Sequence, residues 1–308
     1  MMEASEAQEK KTTGRSRVNL IKVPFGLGAG RPGEEQGPDS ITKAGIGRMI
    51  RNLGRELSEE QVTGMWLREA SSERSSAVKN LRAVLEMSLL VARRVQQAAE
   101  EGAFPLVLGG DRSVSIGAAA GLAERYANPG LIWFDAHAGL LTEETGPTGS
   151  ANEMALSAIL GRMPWKIPGL GHIRKEKVVL IGTREVYPQE REWILGQGIT
   201  CFTMHEIDRM GIQRVIEEAR KIAGAGTDGL HVSFAADTLD PLEAPGVGSP
   251  VPGGLFYREA HFALELLAEG GEVTSMDVTG VNPLLDDQRR TGRLLSGLAA
   301  SLLGKRIL

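Results

Sequence analysis

The chain has 308 residues, of which 42% are hydrophobic and 24% charged, so it is long enough to bury a substantial core and has an ordinary globular composition. Its net charge of -4 at pH 7 argues against a nucleic-acid or anionic-membrane surface. Cys201 is the only cysteine, which excludes an intrachain disulfide and fits a reducing cytoplasm. Because no apolar run is long enough to span a bilayer, we expect a cytoplasmic protein with neither nucleic-acid nor membrane partners.

The N-terminal residues 1–16 are polar and predict a disordered tail, which leaves 17–308 as one α/β domain. Beyond the tail, short apolar runs indicate strands, several of them apolar enough to be covered on both faces. The predicted strands are 18–25, 105–110, 131–137, 178–182, 199–204, 230–237 and 273–281, with 62–66 as a weaker eighth candidate.

Between these strands the apolar residues recur at helical spacing. The predicted helices are 77–101, 113–126, 188–196, 206–223, 257–269 and 286–303. Strands and helices that alternate along the whole chain favour a parallel, doubly wound sheet. In such sheets, chemistry is concentrated at the carboxyl ends of the strands.

Polar side chains follow three of the predicted strands, in positions too costly to bury without partners. They lie in "LGGDRSVSIG" (108–117), "FDAHAGLLT" (134–142) and "SFAADTLDP" (233–241). The middle segment has an Asp-x-His spacing that is typical of a metal site. We therefore expect these three segments to meet at one edge of the sheet.

Together with "GRPGEEQGP" (30–38) and "GVNPLLD" (280–286), these segments resemble the ureohydrolase family, and most closely its bacterial arginases. The likeness runs from about Val18 to Leu308 and includes "APGVGSPVPGGL" (244–255). The resemblance implies a three-layer α/β/α fold with an eight-stranded, mostly parallel sheet. It also implies a di-manganese site whose bridging hydroxide attacks a guanidinium carbon.

The chain departs from this pattern at the positions that the resemblance assigns to metal ligands. Asp135, His137 and Asp237 match the family. The positions that should carry a histidine and two aspartates carry Arg112, Gly139 and Ala235 instead. Since hard divalent ions need several oxygen or nitrogen ligands, we expect the two-metal centre to be lost and no cofactor to be bound. One weakly held divalent ion, Mn or Zn, on the three matching residues is the alternative.

Residues that the family uses on its substrate have changed as well. Asn152 stands where a proton-carrying histidine is expected, and Gly280 stands where a glutamate should bind the guanidinium. An asparagine side chain does not titrate near neutral pH. Five polar residues are candidates for a remaining ligand cleft: Thr148, Ser150, Glu153, Glu185 and Tyr187.

Arg112 suggests what replaces the metal ions. Two close carboxylates, Asp135 and Asp237, do not both ionise cheaply without a nearby positive charge. The fork of guanidinium N–H donors on Arg112 matches such carboxylates, so we predict an internal ion pair. The alternatives are a solvent-facing Arg112 and a His137 that is simply packed among loops.

Two functional hypotheses follow from the sequence. The first is a pseudoenzyme that binds a small amino-acid-like ligand or assembles with an active arginase paralogue. The second is a hydrolase of altered chemistry, acting on a C–N bond of an amidine or amino-acid-like substrate with one metal or none. Arg258 and Glu259 match a family pair at subunit contacts, which implies a homotrimer or hexamer. If that pair is not an interface, it is an ordinary exposed ion pair.

Overall fold

In this computed structural model, residues 16–64, 77–167 and 171–306 are described, and they contain one eight-stranded sheet in which every pairing is parallel. The strands are β1 (Arg17–Val23), β2 (Glu56–Gln61), β3 (Phe104–Gly109), β4 (Pro129–Phe134), β5 (Val178–Thr183), β6 (Thr200–Thr203), β7 (Gly229–Ala235) and β8 (Val273–Thr279). Their order across the sheet is β2-β1-β3-β8-β7-β4-β5-β6. The tail predicted for residues 1–16 falls, apart from Ser16, outside the described residues.

The eighth strand is not the one that the sequence suggested. It is β2, a polar strand at the edge of the sheet, in which no residue is fully buried. The candidate strand 62–66 is wrong for 62–64, which form no strand, and its last two residues lie outside the described part of the chain. An edge strand paired on one side only has no need of the apolar run by which strands are recognised.

Ten helices accompany the sheet in the described residues. They are α1 (Gly37–Lys43), α2 (Ile46–Asn52), α3 (Leu81–Glu100), α4 (Val114–Arg125), α5 (Ala155–Ile159), α6 (Pro188–Gln197), α7 (Met204–Met210), α8 (Ile212–Gly224), α9 (Tyr257–Gly270) and α10 (Arg290–Leu302). The predicted helix 206–223 is two helices, because Gly211 takes a left-handed φ of 77° between α7 and α8. Short α1, α2 and α5 were not predicted, since five to seven residues show little periodicity.

The helices cover both faces of the sheet and give the three layers that the resemblance implied. Helices α3, α4, α5 and α6 pack on one face, over a cluster that includes Val91, Leu131 and Trp133. Helices α1, α2 and α7 to α10 pack on the other, over a cluster that includes Phe134 and Phe234. Strands β3, β4, β5 and β7 are buried at every position, as expected for strands enclosed between two layers.

The four central strands, β3, β8, β7 and β4, bring the polar segments to one edge. Asp111 and Arg112 follow β3, Asp135 and His137 follow β4, and Asp237 follows β7. Strands β8 and β7 lie between β3 and β4, so Arg112 reaches Asp135 across two strand ends and not from an adjacent one. No helix in the described residues is long and apolar enough to cross a membrane.

Candidate functional site

A buried ion-pair cluster centred on Arg112 forms the floor of the site. Its Nη2 lies 2.5 Å from Oδ2 of Asp237, and its Nε contacts Oδ2 of Asp135. The three side chains are only 7%, 7% and 0% exposed, respectively. The ion pair predicted for Arg112 is therefore present, and the alternative of a solvent-facing arginine is wrong. A guanidinium shared by two buried carboxylates supplies the positive charge that their burial requires.

Local contacts hold Arg112 in place at the end of β3. Its backbone N–H donates to Oδ1 of Asn152 at 2.7 Å. The neighbouring Asp111 accepts from the backbone N–H groups of Gly28 and Ala29 at 2.8 and 3.1 Å. Asn152 thus holds the backbone of Arg112 just after β3, and Asp111 connects the same segment to the residues after β1.

His137 completes the cluster from the β4 side. Its Nδ1 lies 3.0 Å from Oδ2 of Asp237 and 3.6 Å from Oδ1 of Asp135. Its backbone N–H donates to Oδ1 of Asp135 at 2.7 Å. Burial opposes the charged imidazolium, but the hydrogen bonds to the two aspartates outweigh it and raise the pKa of His137 to about 9. His137 is therefore bound within the cluster and is not packed only among loops.

The two carboxylates differ in their affinity for a proton. Burial raises the pKa of Asp135 to about 6, against the lowering effect of Arg112. For Asp237, burial acts in the same direction, but Arg112 and His137 together hold its pKa far below its usual range. Asp237 receives both the guanidinium and the imidazole, so it carries the negative charge at the centre of the cluster.

A cleft of about 530 Å³ opens above this floor. All five residues proposed from the sequence for a ligand cleft line it, together with Arg112, His137 and Asn152. Not all of them are free to bind a ligand. The Ser150 hydroxyl donates to the carbonyl of Gly28, and the Thr148 hydroxyl donates to Oε2 of Glu153 at 2.7 Å. Glu185 and Tyr187 are exposed at the mouth of the cleft.

Glu34 is a residue of this cleft that the sequence reasoning missed. It lines the cavity, is 5% exposed, and its Oε2 is buried with no hydrogen-bond partner among the described residues. Burial, reinforced by the charge of Asp111, raises the pKa of Glu34 to about 8. A side chain at Gly248 would overlap Oε1 of Glu34. The only available signal was a charged residue inside "GRPGEEQGP", and glutamates in such loops are usually exposed.

Comparison with known proteins identifies the family. The model of the Arginase family matches residues 16–304. The chain is 40% identical to the arginase of Bacillus caldovelox over 296 residues, which cover 94% of this chain and 99% of that one. A crystal structure of arginase from Bacillus subtilis superposes with a TM-score of 0.87 at 40% identity, covering 95% of this chain and 100% of the other.

The chain belongs to the arginase family. A second solved arginase, the native Bacillus caldovelox structure at pH 5.6, gives a TM-score of 0.89 at 39% identity and covers 95% of this chain and 99% of that one. The fold and family inferred from the sequence motifs are thereby confirmed.

The two-manganese centre implied by the family resemblance does not fit these residues. Among the described residues, Asp135, His137 and Asp237 form the one group of three or more His, Cys, Asp or Glu residues whose ligand atoms lie within 4.8 Å of one another. Arg112 already contacts a carboxylate oxygen of both aspartates. Three donors are too few for two hard divalent ions, which each need several oxygen or nitrogen ligands. For a single ion the three donors would suffice, in competition with the guanidinium.

The other changed positions contribute no ligand atoms. Ala235 ends β7 with an apolar side chain that is 2% exposed. Gly139 and Gly280 take left-handed φ values of 69° and 80°. Neither glycine is crowded, since an added Cβ at Gly139 or Gly280 would lie no closer than 3.5 or 3.7 Å to its neighbours. A larger side chain at either position is opposed by the positive φ of the backbone and not by a lack of space.

The pair predicted at subunit contacts lies at the start of α9, away from the cleft. Arg258 is exposed and borders a shallow depression with His261, Glu269 and Arg306. Glu259 accepts from the backbone N–H of Phe256 at 2.9 Å, which caps the first turn of α9. Glu259 therefore has a local structural role at the start of α9.

Proposed function

We propose that this member of the arginase family is a pseudoenzyme that does not hydrolyse arginine and instead binds a small amino-acid-like ligand in its cleft. The observation that carries the proposal is the guanidinium of Arg112 buried between Asp135 and Asp237. A fixed positive charge there repels both a divalent ion and the guanidinium of an arginine substrate.

The neighbouring residues support the same conclusion. Asn152 cannot exchange a proton near neutral pH, and its Oδ1 is already used by the backbone of Arg112. Gly280 offers no carboxylate to a guanidinium. The chain therefore lacks a proton carrier and a guanidinium acceptor where the family resemblance places them.

The direct test measures urea released from L-arginine, with and without added Mn²⁺, and the metal content of the same protein by mass spectrometry. A bacterial arginase purified in parallel is the positive control. We expect urea at the level of the blank and metal well below one ion per chain. Mn²⁺-dependent urea formation above the blank would overturn the proposal that the protein is a pseudoenzyme.

A single-metal hydrolase of altered chemistry is the second candidate. It is supported by Asp135, His137 and Asp237, which offer three ligand atoms within 4.8 Å of one another. This candidate requires a bound ion that displaces Arg112. One equivalent of Mn or Zn that survives dialysis, together with hydrolysis of an amidine or amide substrate, would favour it over the pseudoenzyme.

We further propose a cytoplasmic homo-oligomer, a trimer or hexamer, with Arg258 in the subunit contact. The alternative partner is an active arginase paralogue. Both proposed assemblies, with copies of this chain or with a paralogue, rest on the exposed position of Arg258 at the start of α9 and on the family resemblance. Residues 17–308 are proposed to act as one domain, preceded by a tail at 1–16.

A further inference from the structure

We propose that the deep end of the cleft binds an uncharged group that carries both a hydrogen-bond acceptor and a donor, such as the ureido or carboxamide end of an amino-acid-like ligand. The inference deepens the proposed function and rests on it, because it names the class of ligand that the cleft would hold. The evidence comes from two side chains, Arg112 and Glu34, that line the same cavity and have hydrogen-bonding groups without partners among the described residues.

Arg112 provides the donor. Its Nε and Nη2 are directed at Asp135 and Asp237, while Nη1 has no hydrogen-bond partner in the described part of the chain. A guanidinium has five N–H donors and no acceptor. A ligand atom that meets the free edge of Arg112 must therefore be an acceptor, such as a carbonyl oxygen. The guanidinium of arginine has no such atom.

Glu34 provides the second contact. Its Oε2 is buried without a partner among the residues described, and an unpaired buried carboxyl oxygen is costly. The carboxyl lies near enough to Arg112 and Asp237 for their charges to act on it. An N–H donor of a ligand in the cavity that Glu34 lines would hydrogen-bond to its carboxyl group. A group with both C=O and N–H thus matches Arg112 and Glu34 together.

Charge balance explains why the group should be neutral. The two aspartates of the floor are already paired with Arg112 and His137. A second guanidinium would face Arg112, and a carboxylate would face Glu34 and Asp237. Either ion would lose its hydration in a buried site that holds no unpaired opposite charge. The raised pKa of Glu34, about 8, agrees with this, because a neutral carboxyl both donates and accepts.

The mouth of the cleft carries exposed charges, whereas the charges of its floor are buried and paired with one another. Arg31 and Lys79 are exposed cations that line it, and Glu185 is an exposed anion on the same cavity. Charges of both signs suit the zwitterionic end of an amino acid. The volume, about 530 Å³, is within the range of small-molecule sites.

The test is isothermal titration calorimetry of the full chain, near neutral pH, with five probes: L-citrulline, L-glutamine, L-arginine, L-ornithine and L-glutamate. We expect citrulline or glutamine to bind about tenfold or more tightly than the three probes with charged ends, since a site built for hydrogen bonds rejects groups that leave them unmade. Tighter binding of arginine, ornithine or glutamate, or no heat from either neutral probe at millimolar concentration, would overturn the inference.

Two variants of one residue locate the contact. Glu34→Gln keeps an acceptor and a donor and should bind the preferred probe within about threefold of the parent chain, while Glu34→Leu should lose about tenfold or more. Equal affinities in the two variants would refute the role of Glu34. Thermal melts show whether the Glu34→Leu variant folds. If this variant does not fold, the order of probe affinities on the parent chain tests the inference. A failure of the proposed function is distinguishable, because it would appear as urea released from arginine.

Discussion

Nη2 of Arg112 lies 2.5 Å from Oδ2 of Asp237, and both side chains are almost completely buried. The same guanidinium contacts Asp135, so one side chain from the end of β3 neutralises carboxylates from the ends of β4 and β7. In an enzyme with metal ions at this place, bound cations would provide that charge. Here a covalently attached cation provides it, and the cluster needs no ion from solution for its charge balance.

Replacement of Arg112 by alanine should therefore destabilise the fold strongly. Removal of one partner of a buried ion pair leaves an uncompensated charge, and we expect a loss of about 3–5 kcal/mol in the free energy of unfolding. Chemical denaturation followed by circular dichroism measures it. Arg220→Ala is the control, because Arg220 pairs with a half-exposed Glu272 at 3.0 Å and should cost no more than about 1 kcal/mol. Similar losses in the two variants would contradict the role of Arg112.

Much of the fold was predictable because its central strands carry the signal on which prediction depends. Strands such as β4 and β7 are buried on both faces and appear as continuous apolar runs. Strand β2 was not predicted because it is a polar edge strand. Helix α5 was not predicted because five residues show no clear hydrophobic period. The break at Gly211 was visible only as a glycine, whose φ of 77° depends on the packing of the two flanking helices.

The site was predictable to a smaller extent. The contact of Arg112 with Asp135 and Asp237 followed from charge alone, since buried carboxylates need a cation and the motif supplied one. Glu34 did not follow, because its burial depends on how residues 26–38 fold over the strand ends. The hydrogen bond from the backbone of Arg112 to Asn152 could not be predicted either. It joins a backbone group and a side chain that are 40 residues apart in the sequence, and such a contact leaves no sequence pattern.

Glu34 should make stability depend on pH. Its pKa is raised from 4.5 to about 8 in the folded chain, so between these values the folded state holds a proton that the unfolded state has released. The resulting stabilisation is present below about pH 4.5 and is lost as the pH rises towards about 8, by as much as about 1.4 kcal/mol per pH unit. Glu34→Gln should remove this slope, because an amide does not ionise.

Denaturation curves across this pH range, for the parent chain and the variant, measure the difference in slope. Glu192→Gln is a matched control at an exposed position and should keep the slope of the parent chain. Parallel curves for the parent and Glu34→Gln would show that Glu34 is ionised in the folded protein at neutral pH, against expectation.

Restoration of ligands should bring back metal binding before it brings back catalysis. We expect Arg112→His, Gly139→Asp and Ala235→Asp together to bind Mn²⁺, measured by mass spectrometry after dialysis. The aspartate at position 139 must adopt a φ near 69°, which costs about 1–2 kcal/mol. A control with Gly139→Asn and Ala235→Asn that keeps Arg112 makes similar changes of size at these two positions and retains the competing guanidinium. Manganese binding by that control, or none by the first variant, would contradict the assignment.

Urea release by the triple variant should stay close to the blank, because metal ligands alone do not position a guanidinium. Addition of Asn152→His and Gly280→Glu should raise it, although Gly280 has a φ of 80° that a glutamate adopts at a cost. A triple variant with the activity of a bacterial arginase would show that these two positions are dispensable.

The subunit contact can be tested separately from the cleft. Arg258→Glu reverses an exposed charge at the start of α9 and should lower the molar mass measured by light scattering from that of a trimer or hexamer towards that of one chain. Glu259→Ala removes the acceptor for the N–H of Phe256 and should cost about 0.5–2 kcal/mol in stability with little change in mass. An unchanged mass in Arg258→Glu, or a parent chain that is already monomeric, would place any interface elsewhere and leave Arg258 as an ordinary surface residue.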